Sequence, residues 1–117
     1  MKRFLPAVLL LLPALTACRS SGPSYEARAQ AEMGSRAAKF GLYQEAYFRF
    51  LKAVELDPSN AWYLNNLAVL AESRGRFEEA KSLYEKALAL APQNKKIKAN
   101  HEKFQAYLKD HAPQPPA

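Results

Sequence analysis

The chain of 117 residues holds one cysteine, Cys18, so no internal disulfide can form. Its two histidines, His101 and His111, stand without Cys, Asp or Glu at metal-ligand spacing, which removes the usual zinc patterns. His111 beside Asp110 reads as the frayed end of a helix, and His101 as a side chain packed at a helix edge. The four glycines form no phosphate-binding loop, and no nucleophile motif accompanies them. The longest apolar run, Phe4 to Leu15, is shorter than the roughly 20 residues a helical bilayer span needs. Catalysis, metal binding and a bound cofactor are therefore not expected.

What is present suits a packed chain: 49% hydrophobic and 24% charged residues. The formal charge is +6, and from residue 18 onward fifteen basic against eleven acidic side chains leave +4. A bias that small, with no recognition motif, does not support a nucleic-acid partner.

The front end, MKRFLPAVLLLLPALTAC, has a basic start, an apolar stretch and small residues, the layout of a secretory signal. Pro6 and Pro13 disfavour a continuous helix through it. Leu15, Thr16, Ala17 and Cys18 resemble the lipobox of bacterial lipoproteins. That resemblance implies removal of residues 1–17, a covalent lipid on Cys18 and a mature protein facing the periplasm. Arg19 stands where the enterobacterial inner-membrane retention signal has Asp, which points to the outer membrane. Residues 18–24, the lipidated Cys and the polar run RSSGPS, form a tether of at most about 20 Å.

The body of the chain repeats itself. Laid over each other at a shift of 34, residues 27–60 and 61–94 pair Gly41 with Gly75, Ala46 with Ala80, Phe50 with Tyr84, Ala53 with Ala87, Pro58 with Pro92 and Asn60 with Asn94. Met33 pairs with Leu67, Gly34 with Ala68, Tyr43 with Phe77 and Leu56 with Leu90. The glycines fall where a first helix must stop, the small alanines admit a second helix closely, the prolines end it, and Asn60 caps the next. In KKIKANHEKFQAYLKDH, Ile97, His101, Phe104 and Leu108 share a helix face, predicting a lone terminal helix over 95–110 that covers the second unit. Residues 111–117 are expected to be a loose tail.

This spacing resembles the tetratricopeptide repeat, with YLNNLAVLAESRGRFEEAKSLYEKALALAPQN the closer copy and the first looser because Gln30 stands where the second has Leu64. The resemblance implies an all-α domain over 25–110, a helical hairpin solenoid of two repeats plus a C-terminal capping helix. It further implies a protein or peptide partner held on the concave surface of each repeat's first helix. Carried over by position, that surface presents Arg28, Ala31 and Ser35, then Trp62, Asn65, Asn66 and Val69, then Lys96 and Asn100. One variety of the family grips a C-terminal carboxylate through Lys, two Asn, another Lys and an Arg. Only Asn66 and Lys96 match, since Ala31, Ser35 and Asn100 replace the rest, so that clamp is not expected.

Phe48 and Leu51 stand where the second repeat has Ser82 and Glu85, which marks a second candidate surface on the outer face. The run Lys95, Lys96, Lys98 and Lys103 makes the terminal helix basic, a solvated face or one turned to anionic lipid. The sequence thus predicts an envelope lipoprotein serving as a protein-binding adaptor, with a self-associating structural subunit as the alternative.

Overall fold

The computed structural model describes residues 24–111. The expected leader 1–17, Cys18, the expected tether up to Pro23 and the expected tail from Ala112 lie outside the described residues. Within them are five helices and no strand: α1 (Tyr25–Lys39), α2 (Tyr43–Leu56), α3 (Ala61–Ser73), α4 (Phe77–Leu90) and α5 (Lys95–Asp110). The two predicted hairpins and the terminal helix are α1–α2, α3–α4 and α5.

Local chemistry sets each boundary. Asn60 begins α3, its Oδ1 accepting from the backbone N–H of Trp62 at 3.0 Å and of Tyr63 at 3.4 Å. Asn94 does the same for α5, accepting from Lys96 and Ile97 at 3.1 Å each. Ser24 caps α1 by accepting from Ala27 at 3.1 Å. Both hairpin turns place a glycine in the left-handed region, Gly41 at φ 76° and Gly75 at φ 73°. The next residue then returns a hydrogen bond to the helix just ended: Leu42 N–H to the Ala37 carbonyl and Arg76 N–H to that of Ala71, both 2.9 Å.

Each hairpin closes on small residues facing an aromatic ring. Ala46, Ala53, Ala80 and Ala87 are fully buried, with Phe50 and Tyr84 wedged between the helices. In the first hairpin the approach is so close that a methyl group on Gly34 would meet the Phe50 ring at 2.8 Å. In the second, Ala68 takes that place, and the Tyr84 hydroxyl donates to Glu72 at 2.9 Å. Burial, then the Glu72 carboxylate, raises the Tyr84 pKa.

The hairpins stack through α2 and α3, whose Tyr47, Phe50, Leu67 and Leu70 share one core. At the turn end the stack is latched. The Arg74 guanidinium lies 4.5 Å from the centre of the Tyr47 ring and 5.9 Å from that of Phe48, with Arg76 5.4 Å from Tyr47. The Tyr47 hydroxyl donates to Glu79 and accepts from Arg76 at 3.3 Å. On the far side α5 covers α4 as predicted. Ile97 and Phe104 are fully buried, and Phe104 packs 5.3 Å from Tyr84 between ring centres. His101 sits at that edge, 6.0 Å from Tyr84. His111 folds back onto α5, its ring stacked 4.1 Å from Tyr107.

The repeats differ where neighbours differ. Met33 and Leu67 share a register, yet Leu67 is 1% exposed beneath α2 while Met33, with no described helix before it, is 38% exposed. Gln30 replaces Leu64 for the same reason. Its side-chain oxygen accepts from Arg49 at 3.1 Å, and Arg49 also donates to Glu45 at 2.7 Å. Three polar side chains finish a face that, one repeat later, Leu64 and Leu83 bury.

Candidate functional site

Alternation of helix direction brings the first helix of each hairpin and α5 onto one side. Three adjoining depressions run across it. The one nearest the start of α1 and α3, 370 Å³, is lined by Arg28, Glu32, Ser35, Arg36, Trp62 and Asn66, with Ala31 and Phe50 as floor. The next, 460 Å³, shares Ser35, Phe50 and Asn66 and adds Tyr43, Val69 and Ser73. A third, 590 Å³, shares Val69 and Ser73 and extends between α3 and α5 over Glu72, Asn100, Lys103 and Tyr107. Together they form one concave groove.

Most of the residues placed there by position do line it. Arg28, Ser35, Trp62 and Val69 line it exposed and Asn66 and Asn100 half-buried, whereas Lys96 is exposed but lines none of the three depressions. Trp62 stands at the rim with the Lys96 ammonium 5.7 Å from its ring centre. Arg28 is held against Glu32 at 3.2 Å, an exposed pair one helical turn apart. Arg28, Arg36 and Lys103 against Glu32 and Glu72 leave the groove lining slightly positive, and Lys96 adds to it from beside the Trp62 rim. Such a field favours an acidic ligand segment.

Two placements are corrected. Asn65 is 2% exposed and presents nothing to the groove. Its oxygen accepts from the Asn100 amide at 3.2 Å, and its own amide donates to Asn66 at 3.3 Å. Neighbouring residues on a helix differ by about 100° in direction, so Asn65 and Asn66 cannot share a surface. Asn65 ties α3 to α5, and because its donor engages the Asn66 oxygen, the Asn66 amide nitrogen is left to face a ligand. Ala31, in the same register, is likewise floor rather than surface, at 8% exposure.

The outer pair also separates. Phe48 is 51% exposed, whereas Leu51 is half-buried against the core. The apolar surface instead gathers at the turn end, where Leu42, Tyr43 and Phe48 border a 640 Å³ depression and Phe40 is exposed in the same turn. One repeat later Arg74, Arg76 and Ser82 hold the positions of Phe40, Leu42 and Phe48, and only Tyr43 keeps an aromatic match in Phe77.

Arg36, Tyr43, Lys103 and Tyr107 were not anticipated as lining residues. Lys103 and Tyr107 continue the 96, 100 stripe by helical spacing and were legible. Tyr43 enters from α2 only because the Gly41 turn folds it back over the groove. Among the described residues no cluster of three or more His, Cys, Asp or Glu is placed to hold a metal, and no helix is long and apolar enough to cross a membrane.

Residues 61–94 match the tetratricopeptide repeat family model. A protein O-mannosyl-transferase of Caenorhabditis elegans is 32% identical over 88 residues, which is 75% of this chain and 13% of that protein, so the chain spans only a small part of its relative. Among solved structures, the second TPR of Spaghetti, bound to the HSP90 peptide SRMEEVD, superposes with a TM-score of 0.68 at 22% identity, over 74% of this chain and 80% of that one. The TPR domain of Sgt2 from Aspergillus fumigatus gives a TM-score of 0.49 at 20% identity, over 85% and 91%. With the family model on its second hairpin, and a first hairpin built in the same register with the same turns and packing, residues 61–94 are a tetratricopeptide repeat and the described residues have the all-α hairpin fold of a tetratricopeptide-repeat solenoid.

Proposed function

We propose that this protein is a lipid-anchored, non-catalytic adaptor of the bacterial cell envelope, facing the periplasm, that holds an extended, acidic segment of a partner protein along the α1–α3–α5 groove. The observation that carries the binding role is the continuity of that groove, positive in charge and bordered by the Asn66 amide and the Trp62 rim. The similar structure that holds a peptide supports the choice of a peptide occupant. The anchor rests on the lipobox resemblance at Cys18, and the outer membrane on Arg19. Two or more acyl chains, at about 0.8 kcal/mol per buried methylene, hold a protein at a bilayer stably.

Site-specific photo-crosslinking tests the groove. A photoreactive side chain at Ser35 or Val69 should give discrete partner adducts in cells, and one at Lys81 on the outer face of α4 should not. Equal adduct patterns from both faces would refute it. Fractionation tests the anchor: Cys18→Ser should move the protein from membranes to the soluble fraction, and an unchanged distribution would count against lipidation.

The exposed cluster of Phe40, Leu42, Tyr43 and Phe48 favours a second reading, a self-associating structural subunit of an assembly such as a pilus or secretion machine. Light scattering separates the two, because a concentration-independent monomer contradicts self-association.

A further inference from the structure

Helix alternation gathers the starts of α1, α3 and α5 and the ends of α2 and α4 at one end of the array, opposite the hairpin turns. Exposed there are Tyr25 (89%), Leu90 (49%) and Trp62 (42%), with Lys95 and Lys96 beside them. The lysines are poorly placed for their own helix. α1, α2 and α4 each carry glutamate in the first turn, where the helix dipole favours negative charge, whereas α5 carries two cations and no carboxylate there. Asn94 already caps α5, so Lys95 and Lys96 do nothing for its N-terminus. Glu26 and Asp57 lie at the same end but on the α1 and α2 side, Asp57 accepting from Ser59 at 3.2 Å. Positive charge is therefore concentrated on the α3–α5 side, around Trp62.

We infer that this end, through Trp62, Leu90, Lys95 and Lys96, is a contact surface for an anionic lipid bilayer. The inference rests on the anchored reading above: Cys18 lies six residues before Ser24, and a chain that long reaches at most about 20 Å. The end at which the tether enters α1 is held within that distance of the headgroups. Aromatic rings with one polar edge settle at the membrane interface, and juxtamembrane lysines are drawn to anionic headgroups over a Debye length. With the α3–α5 side down, the groove is closed by the bilayer at its Trp62 rim and open at the hairpin turns. A bound segment then enters from the turn end.

Trp62 is the chain's single tryptophan and reports directly. The chain from residue 18 onward with Cys18→Ser keeps every described residue, and with them the whole core, while bearing no lipid. Mixed with vesicles of phosphatidylglycerol and phosphatidylcholine at low salt, its fluorescence should shift to the blue and be quenched by nitroxides carried at headgroup depth. Pure phosphatidylcholine vesicles should give neither effect, and molar salt should abolish both. Lys95→Glu with Lys96→Glu should weaken vesicle partition at least tenfold. Those changes place carboxylates where the α5 dipole favours them, so loss of binding is not loss of folding, and an unchanged circular dichroism melt checks this. Absence of shift and quenching, equal response to both vesicle types, or undiminished partition of the double variant overturns the inference. Concentration-dependent dimerisation that itself produces the shift without vesicles assigns the end to a second copy instead. Because the assayed chain is unlipidated, this result is independent of whether Cys18 is acylated, which the fractionation experiment reads separately.

Discussion

The contact between Gly34 and Phe50 permits a prediction in which two known effects oppose each other. Gly34→Ala places a methyl group 2.8 Å from Cδ2 and 2.9 Å from Cε2 of Phe50, and 3.2 Å from Cβ of Arg49. Carbon atoms pack comfortably at about 3.5–4.0 Å, so the ring must withdraw by most of an ångström. Being 3% exposed, the ring is walled by the core on every side but the groove it floors, so any shift must come at the expense of its packing. Overpacking of this kind costs about 1–3 kcal/mol. Replacing glycine by alanine inside a helix returns about 1 kcal/mol. The expected balance is a loss of about 1 kcal/mol, read as a fall in Tm of about 5 °C in a domain this small. Thermal and urea unfolding followed by circular dichroism measure it. Phe50→Leu in the same background removes the ring edge, and the double-mutant cycle should return a favourable coupling of about 1 kcal/mol. In the second hairpin Ala68 already occupies the equivalent place, so Ala68→Gly should also destabilise, here through lost packing and helix propensity. If Gly34→Ala raises Tm, helix propensity has won and the first hairpin is not jammed as described.

The Tyr84 pKa is raised above its ordinary 10.0, so the fold favours the neutral phenol; its contribution is present below pH 10 and is lost as pH climbs beyond. Urea midpoints should therefore fall more between pH 9 and pH 11 for the natural chain than for Tyr84→Phe, and equal falls would refute the assignment. Asn65→Ala strands the amide of Asn100 and should cost about 1–2 kcal/mol in urea unfolding, while a neutral result would show that water replaces the bond freely. Gln30→Leu with Arg49→Leu gives the first hairpin the apolar face of the second, and light scattering should show stronger association than for the natural chain at the same concentration; a double variant no more associated than the natural chain would mean the polar trio is incidental.

The elements that repeat were the ones readable from the residues. Gly41 and Gly75, Asn60 and Asn94, and the alanines facing Phe50 and Tyr84 announce their geometry because each solves a backbone or packing problem that recurs every 34 positions. Asn65 was misplaced because the groove positions were carried over by register, which names the helix but does not separate its surface side from the side turned to α5. The signal against it was the step of about 100° between adjacent helical residues, which forbids Asn65 and Asn66 the same direction. Leu51 was misjudged for a related reason: comparison with Glu85 says that a position tolerates exposure, not that a leucine there will take it. The Gln30–Arg49–Glu45 trio joins side chains from two helices, and no local pattern signals it. The same holds for Tyr43, which reaches the groove only once the turn is closed.

One consequence follows from the arginine latch. The two hairpins are joined by covalent chain across residues 57–60, and at the opposite end by Arg74 and Arg76 resting on Tyr47. A pair of rods fixed at both ends cannot scissor, so the curvature of the channel between them is set before any guest arrives. The guest must then do the bending, and a stiff segment already curved to match loses less entropy on entry than a floppy one of equal contact.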